Sequence, residues 1–520
     1  MAESAHTDHY SIGRLQRAMG QFVSGRALQA AGQAALILVL VRALSPPEFG
    51  AYMLIIGLAE AMLALGSFGT LHVARRFLPQ MIMILSAPRL LRFVLFLIAS
   101  QLGALLLLTA IAWWLWPTIT AALGFTPERA ATTLIALMLF FLIPSVNFAC
   151  ELLDALLEQG RSRMVGSMLV YSRLGALAFL LIANVHIDLA LILHIDVAIV
   201  AFALIIAWVL LAISLRALHV RGASGVVPWR EILHFMRHMA PMDMLGVTST
   251  PGAIRLVLAS TLGVVESGLF AFLQSLQRVV GRYLPGTLLR GIIMPVLVAR
   301  AHQPGGRAIV EIGASLLTKS NLLIVAAGTV AITCCGDELV RLLSGGRFYD
   351  AGGTLLLMYL ALAITSQRSI LEMVLQIIGR AAVLGHTALI SPLALCAMWM
   401  LAGRGIDTAV LILIAASALS NGIATAVMVR DAGGFKVQWH GQASIVSTGI
   451  VAAGVGIALH AFAVPALFSA ALSVALFLAM QLVFRPFTEA EMTVVGKALG
   501  PRLGVLLRRL ARSDDVAVIP

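Results

Sequence analysis

Seven arginines fall within or at the ends of long apolar runs: Arg26, Arg173, Arg255, Arg278, Arg282, Arg290 and Arg368. A guanidinium at the centre of a bilayer costs about 2.5–3.5 kcal/mol even on the lenient insertion scale. Seven facing lipid would cost on the order of 20 kcal/mol, more than the whole stability of a typical fold, about 5–15 kcal/mol. They must face water, pair with acids or reach the interface, and Arg290, near the inner end of its run, can snorkel. Acids in these runs are few: Glu60, Asp243 and Glu372, with Asp196 near an outer end. The interior therefore carries excess positive charge, which an anionic ligand would answer. Arginine suits phosphate because its planar fork donates two parallel hydrogen bonds.

These polar residues recur on helical faces. Gln274, Arg278 and Arg282 lie four apart; Arg26, Gln29 and Gln33 share a face, as do Arg368, Glu372 and Gln376. Such stripes on several helices describe the wall of an aqueous cavity, with interhelical hydrogen bonding as the plainer alternative. The candidate substrate-binding residues are Arg26, Arg173, Arg255, Arg278, Arg282, Arg368, Gln29, Gln33 and Gln274. Glu372, one turn from Arg368, and Glu60 are candidate coupling acids, since burial and a nearby arginine shift a carboxylate in opposite directions. Nucleotide, dinucleotide, zinc-protease and serine-hydrolase signatures are all missing, so the chain reads as a non-enzyme without cofactor. Glu231, His234 and His238 share one helical face, but read as a solvated surface rather than a metal site. Cys150, Cys334, Cys335 and Cys396 have neither metal-like spacing nor a disulfide framework.

The elements that position these residues follow from composition. Of 520 residues, 60% are apolar and 12% charged, whereas a soluble domain carries about 25% charge. That suffices for roughly fourteen spans of about 20 residues, and the period-two alternation of a β-barrel is missing. Hydropathy predicts helices near 18–41, 49–71, 90–115, 129–150, 164–183, 191–215, 240–262, 266–298, 314–335, 352–376, 382–402, 407–429, 441–462 and 463–484. The eighth is about 50 Å long, too long for an upright span, and Pro285 and Pro295 are expected to bend it. The first run lacks a small-residue cleavage site and reads as a retained helix.

With the N-terminus inside, 24 of the 36 lysines and arginines fall in inner segments and 5 in outer loops. That asymmetry predicts N-in, C-in topology and accounts for the net charge of +12 without nucleic acid. The expected organisation is an inner tail (1–17), a six-helix lobe (18–215), an inner linker (216–239), a second six-helix lobe (240–433), a final helix pair (434–487) and an amphipathic inner-surface tail (488–520). Thr488 and Glu491 would open that tail as a capping box. Residues 40–52 and 256–270 share L-V-x-A, a short turn and E-x-G-x-aromatic, at Glu48-Gly50-Tyr52 and Glu266-Gly268-Phe270. The match marks two pseudo-symmetric halves of like orientation.

The run LVRALSPPEFGAYMLIIGLAEAMLALGSFGTLHVARRFLPQ (40–80) resembles the opening of Wzx-type polysaccharide flippases, members of the multidrug/oligosaccharidyl-lipid/polysaccharide exporter superfamily. Pro241 at the start of the seventh helix, ESGLFAF (266–272) and LVRLLSGGRFYDAGGTLLLMYLAL (339–362) agree with it. The resemblance implies an all-α polytopic fold of fourteen helices, two six-helix lobes in a V plus a final pair, a cationic central cavity and alternating access. It implies undecaprenyl-diphosphate-linked oligosaccharide as substrate, moved from inner to outer leaflet of the bacterial cytoplasmic membrane, with other polysaccharide assembly proteins as partners. Where many members carry an acid before the position of Arg255, this chain has Ile254, so no coupling site using that acid carries over. A cation-coupled drug antiporter of the same fold would need an acidic pocket, against the arginine excess. A membrane glycosyltransferase or polymerase would need catalytic acids; the longest outer loop, about 336–351, offers Asp337, Glu338 and Asp350.

Overall fold

Serine, two prolines and a glutamate at 45–48 start a helix for definite reasons. Pro46 and Pro47 occupy the first helical positions, where no backbone donor is needed, and Glu48 Oε2 accepts from the Ser45 backbone N–H at 3.1 Å. In the computed structural model, which describes residues 12–123, 133–156, 158–217, 226–288, 306–378, 380, 382–430, 435–493 and 511–512, such local rules yield an all-helical membrane fold. Eleven helices among the described residues are long and apolar enough to cross a bilayer. Each of the fourteen predicted stretches contains helix. The chain divides into two compact units, Met1–Phe272 and Leu273–Pro520. The division falls inside a helix, whereas the sequence places the lobe boundary at the 216–239 linker.

The first unit contains α1 (Ile12–Ala43), α2 (Pro46–Ser67), α3 (Thr70–Ile84), α4 (Ala87–Ala122), α5 (Ala136–Ala155), α6 (Gln159–Ile182), α7 (Leu189–Ala217), α8 (Trp229–Val247) and α9 (Pro251–Leu262). The helix α10 (Val264–Tyr283) begins here and continues into the second unit. Helix α2 ends where Phe68 and Gly69 adopt left-handed backbone, at φ 40° and 83°. The segment that follows, between the second and third predicted helices, forms α3. Val73, Phe77, Leu78 and Met81 make its buried face, packed with Phe93 and Leu97 of α4 and Phe148 and Leu152 of α5. Arg75 and Arg76 lie on its exposed side.

The predicted seventh helix, 240–262, differs from the observed structure in its start, in the place of Pro241 and in its continuity. Helix starts at Trp229, inside the expected linker, because Ile232 is fully buried in the same apolar cluster as α3 and α4, and Trp229 stacks edge-on to Phe96 at 4.8 Å. Pro241 lies within α8 rather than opening it. The stretch then breaks at 248–250 and restarts as α9, where Thr250 Oγ1 accepts from the Ala253 N–H at 3.3 Å and Pro251 takes the first helical position.

The repeated motif has a physical reading in this unit. A Cβ on Gly268 would lie 2.7 Å from the Gly50 Cα, and one on Gly50 would run into the Val264 carbonyl. The two motif glycines thus meet backbone to backbone, with Phe49 and Phe272 edge-to-face at 6.5 Å beside them. A second close crossing joins α2 and α9, where a Cβ on Gly252 would strike the Gly57 carbonyl.

The second unit continues α10 and adds α11 (Pro285–Leu288), α12 (Gly306–Ser344), α13 (Gly352–Ile377), α14 (Ala382–Ala388), α15 (Ile390–Leu401), α16 (Ile406–Arg430), α17 (Trp439–Ala461) and α18 (Ala466–Phe484). The expected bend at Pro285 is present: α10 ends at Tyr283 and α11 restarts at the proline. The Gly286 N–H donates to Asn321 Oδ1 at 2.8 Å, and Asn321 Nδ2 donates to the Ser366 carbonyl at 3.3 Å, so a buried asparagine satisfies the broken backbone. Pro295 and Arg290 lie outside the described residues. At 39 residues α12 measures about 58 Å, well beyond a hydrocarbon core of about 30 Å, and it kinks at Cys335. Two-residue strands β1 (Phe487–Thr488) and β2 (Ala511–Arg512) pair in parallel. The expected capping box is found, Thr488 N–H to Glu491 Oε2 at 2.8 Å and Glu491 N–H to Thr488 Oγ1 at 3.3 Å. Phe487, Glu491 and Met492 are buried, so the start of the expected surface tail packs into the unit; residues 494–510 lie outside the described ones.

Candidate functional site

The arginines singled out by sequence have different surroundings. In the first unit Arg173 of α6 lies 2.9 Å from Asp196 of α7, and Tyr52 of α2 donates to the same carboxylate at 2.8 Å. Asp196, placed by sequence near an outer end, is only 2% exposed. This triad ties three helices together and neutralises one cation. Glu60 is half-buried on α2, and Gln29 and Gln33 are half-buried on α1. Gln29 lies against the α6 backbone, since a Cβ on Gly166 would come within 2.8 Å of its Nε2. Arg26 falls on α1, but its side chain lies outside the described residues.

Arg255 is 1% exposed. It sits at the Gly57–Gly252 crossing and donates from NH1 to the Met53 carbonyl at 2.9 Å. The absence of a Cβ at Gly57 leaves room for this guanidinium, which lies 3.1 Å from where that atom would stand. Arg255 therefore packs in the interior of the unit rather than against water.

In the second unit Arg368 of α13 is held on three sides. It lies 3.2 Å from Glu372, and donates to Ser420 Oγ of α16 and Thr387 Oγ1 of α14, each at 2.7 Å. The expected Arg368–Glu372 pair is thus formed, inside a crosslink of three helices. The stripe on α10 is different. Gln274 and Arg278 are half-buried and Arg282 is exposed, while the neighbouring Gln277 donates to the Met358 carbonyl at 2.8 Å. Gln277 anchors one side of the helix, and the stripe runs beside it.

Sequence reasoning missed several polar contacts. Asp243 of α8 accepts from the Gly69 N–H at 3.0 Å, from Ser67 Oγ and, at 2.8 Å, from His72 Nε2, so an acid that looked available is a cap for the α2–α3 corner. Arg75 forms a two-pronged pair with Glu151 at 2.9 and 2.7 Å, and that carboxylate holds the guanidinium above its ordinary range. Asp337, one of the acids a polymerase would need, accepts the Gly352 N–H at 2.7 Å and serves as a turn cap. The His234 and His238 rings lie 4.2 Å apart, tilted by 51°, and Glu231 lies 3.8 Å from Arg76. Among the described residues no three His, Cys, Asp or Glu side chains are grouped to hold a metal.

No protein-family model matches the sequence, and no curated protein matches it either. Solved structures do resemble it. The lipid II flippase MurJ, in an inward closed conformation, superposes with a TM-score of 0.66 at 13% identity, covering 92% of this chain and 99% of the other. An inward-facing multidrug resistance MATE family transporter of the MOP superfamily gives 0.50 at 14% identity, covering 77% and 96%. The likeness is one of fold. The chain has the all-α polytopic architecture expected from its sequence, and both of these structures share it.

Proposed function

We propose that this protein is a flippase for lipid-linked oligosaccharide. In this reading it carries a polyprenyl diphosphate headgroup from the inner to the outer leaflet of a bacterial cytoplasmic membrane, for cell-surface polysaccharide assembly. The observation that carries the reading is the Gln274–Arg278–Arg282 stripe. It lies on α10, a helix of the expected spanning order that is not apolar enough to count among the eleven candidate spans. Two guanidiniums one turn apart can each donate a fork to a diphosphate oxygen pair, and the amide one turn further can donate to a sugar hydroxyl. The fold likeness to a lipid II flippase supports the class of substrate. Alternating access supplies the mechanism. The headgroup enters from one side, the cations replace its hydration, and a second conformation releases it on the other side while the lipid tail stays in the bilayer.

Binding separates this reading from drug export. Purified protein in detergent micelles should be stabilised against heat by undecaprenyl diphosphate, since a ligand bound only to the native state raises the melting temperature. A cationic dye of the kind drug antiporters carry should leave it unchanged. Stabilisation by the dye and none by the diphosphate would reverse the assignment.

A further inference from the structure

Helix α12 packs along both α13 and α17, and α13 packs along α16, whereas α16 and α17 make no comparable contact with each other. The four helices leave a groove of about 920 Å³, at the upper end of the range of small-molecule sites, about 300–1,000 Å³. Leu322 of α12 and Ile364, Leu371 and Val374 of α13 are among its apolar walls. Val429 of α16 and Val446 of α17 line it too and are 43% and 45% exposed, so the groove opens sideways between these two helices. Asn421 of α16 lines its far end, with Nδ2 donating to the Ile364 carbonyl at 2.7 Å.

The other end, where α16 stops and α17 starts, is polar: Lys436, Gln438, Trp439 and Gln442 all line the groove there. Lys436 is exposed, and only its backbone N–H is used by Glu311 Oε1, at 3.1 Å. Gln438 Oε1 accepts from Lys319 Nζ at 2.7 Å and from Ser315 Oγ at 3.3 Å, which fixes the amide and leaves its Nε2 for another acceptor. An ammonium, amide N–H groups and an indole N–H are together a donor set for phosphate oxygens. The lining runs from Ala363 to Val374 on α13 and from Asn421 to Val429 on α16, about 17 and 12 Å at the helical rise. That is close to one leaflet, half of a hydrocarbon core of about 30 Å.

We propose that this groove seats one membrane glycerophospholipid, with an acyl chain along the apolar walls and the phosphate at the Lys436 end. Filling the groove with an apolar chain gains little by itself, because lipid tails are as apolar as the walls. The polar seat therefore decides which amphiphile stays. The length of the groove selects a single acyl chain; an undecaprenyl tail is far longer and would run out of it. Seated, the chain supplies the contact that α16 and α17 do not make with each other. This seat is independent of the substrate proposed above.

Full-length protein in nanodiscs containing phosphatidylglycerol with a diazirine at the end of one acyl chain tests the seat. After photolysis and digestion, label should be found on the half-buried groove wall at Leu322 and Ile364 as well as on lipid-facing surfaces. Ala426→Phe with Ala443→Phe, at two exposed positions that line the groove, should abolish the wall label and spare the surface label. Lys436→Glu should lower the wall label about tenfold, the worth of one charge-assisted hydrogen bond. An excess of undecaprenyl phosphate should leave it in place. Wall label that is missing, that persists through either variant, or that undecaprenyl phosphate removes would overturn the proposal, the last by giving the groove to a polyprenyl chain. Lys436 is exposed, so the Lys436→Glu comparison decides alone if the double phenylalanine variant fails to fold.

Discussion

Arg278 is half-buried on α10 and Arg282 is exposed there. Arg173 lies against Asp196, Arg255 against the Met53 carbonyl and Arg368 within a glutamate, a serine and a threonine. Two kinds of consequence follow on substitution. Changing Arg278 or Arg282 to Ala should leave protein in the membrane at normal level and lower export roughly tenfold or more, the worth of a lost charge-assisted hydrogen bond. Lys in their place should restore only part, since it keeps charge and loses the fork. Asp196→Ala should instead destabilise the fold by about 3–5 kcal/mol by leaving a buried cation uncompensated, and Arg173→Met with Asp196→Leu should recover most of that, read as membrane-resident protein and melting temperature. Glu372 tests coupling. If its contact with Arg368 opens when substrate phosphate competes for the guanidinium, Glu372→Gln should bind substrate but lose the pH dependence of transport. Unchanged pH dependence would make the pair a fixed crosslink.

At the scale of elements, glycine crossings and helix breaks carry the architecture. Gly50 meets Gly268, and Gly57 meets Gly252, with no space for a side chain at either contact. Gly252→Leu should therefore force α2 and α9 apart and cost at least about 1–3 kcal/mol, lowering the melting temperature in micelles. The motif glycines were visible as a repeat, and the close approach of backbones is why the repeat needs glycine. Long apolar runs and Pro285 were equally legible, because burial in lipid and the missing proline donor act locally. The amphipathic α3 and the early start of α8 were not. Their apolar faces, Val73, Phe77 and Ile232 among them, have meaning only once α4 and α5 supply a cluster to pack on. Likewise Asp243 and Asp196 could be counted in the sequence, but Ser67 lies 176 positions from the first and Tyr52 144 from the second, separations that no local pattern encodes; for Glu491 the Thr488 cap was legible and the Lys319 partner, 172 positions away, was not.

For the whole molecule, the charge asymmetry predicts both termini and the 216–239 segment on the inner side. A cysteine at 225 should escape a membrane-impermeant maleimide in intact cells, and one at 345 should react. The opposite pattern would invert the topology and with it the direction of transport. Proteoliposomes measure translocation directly. Vesicles containing the protein and a fluorescent undecaprenyl-diphosphate oligosaccharide in both leaflets should lose more signal to an external quencher than protein-free vesicles do. Loss should approach all of the label for the wild type, against about half without protein, where only the outer leaflet is reached, and stay near the protein-free level for the variant carrying Arg278→Ala and Arg282→Ala. Quenching that stops at the outer-leaflet half in wild-type vesicles, or full quenching in the double variant, would contradict it.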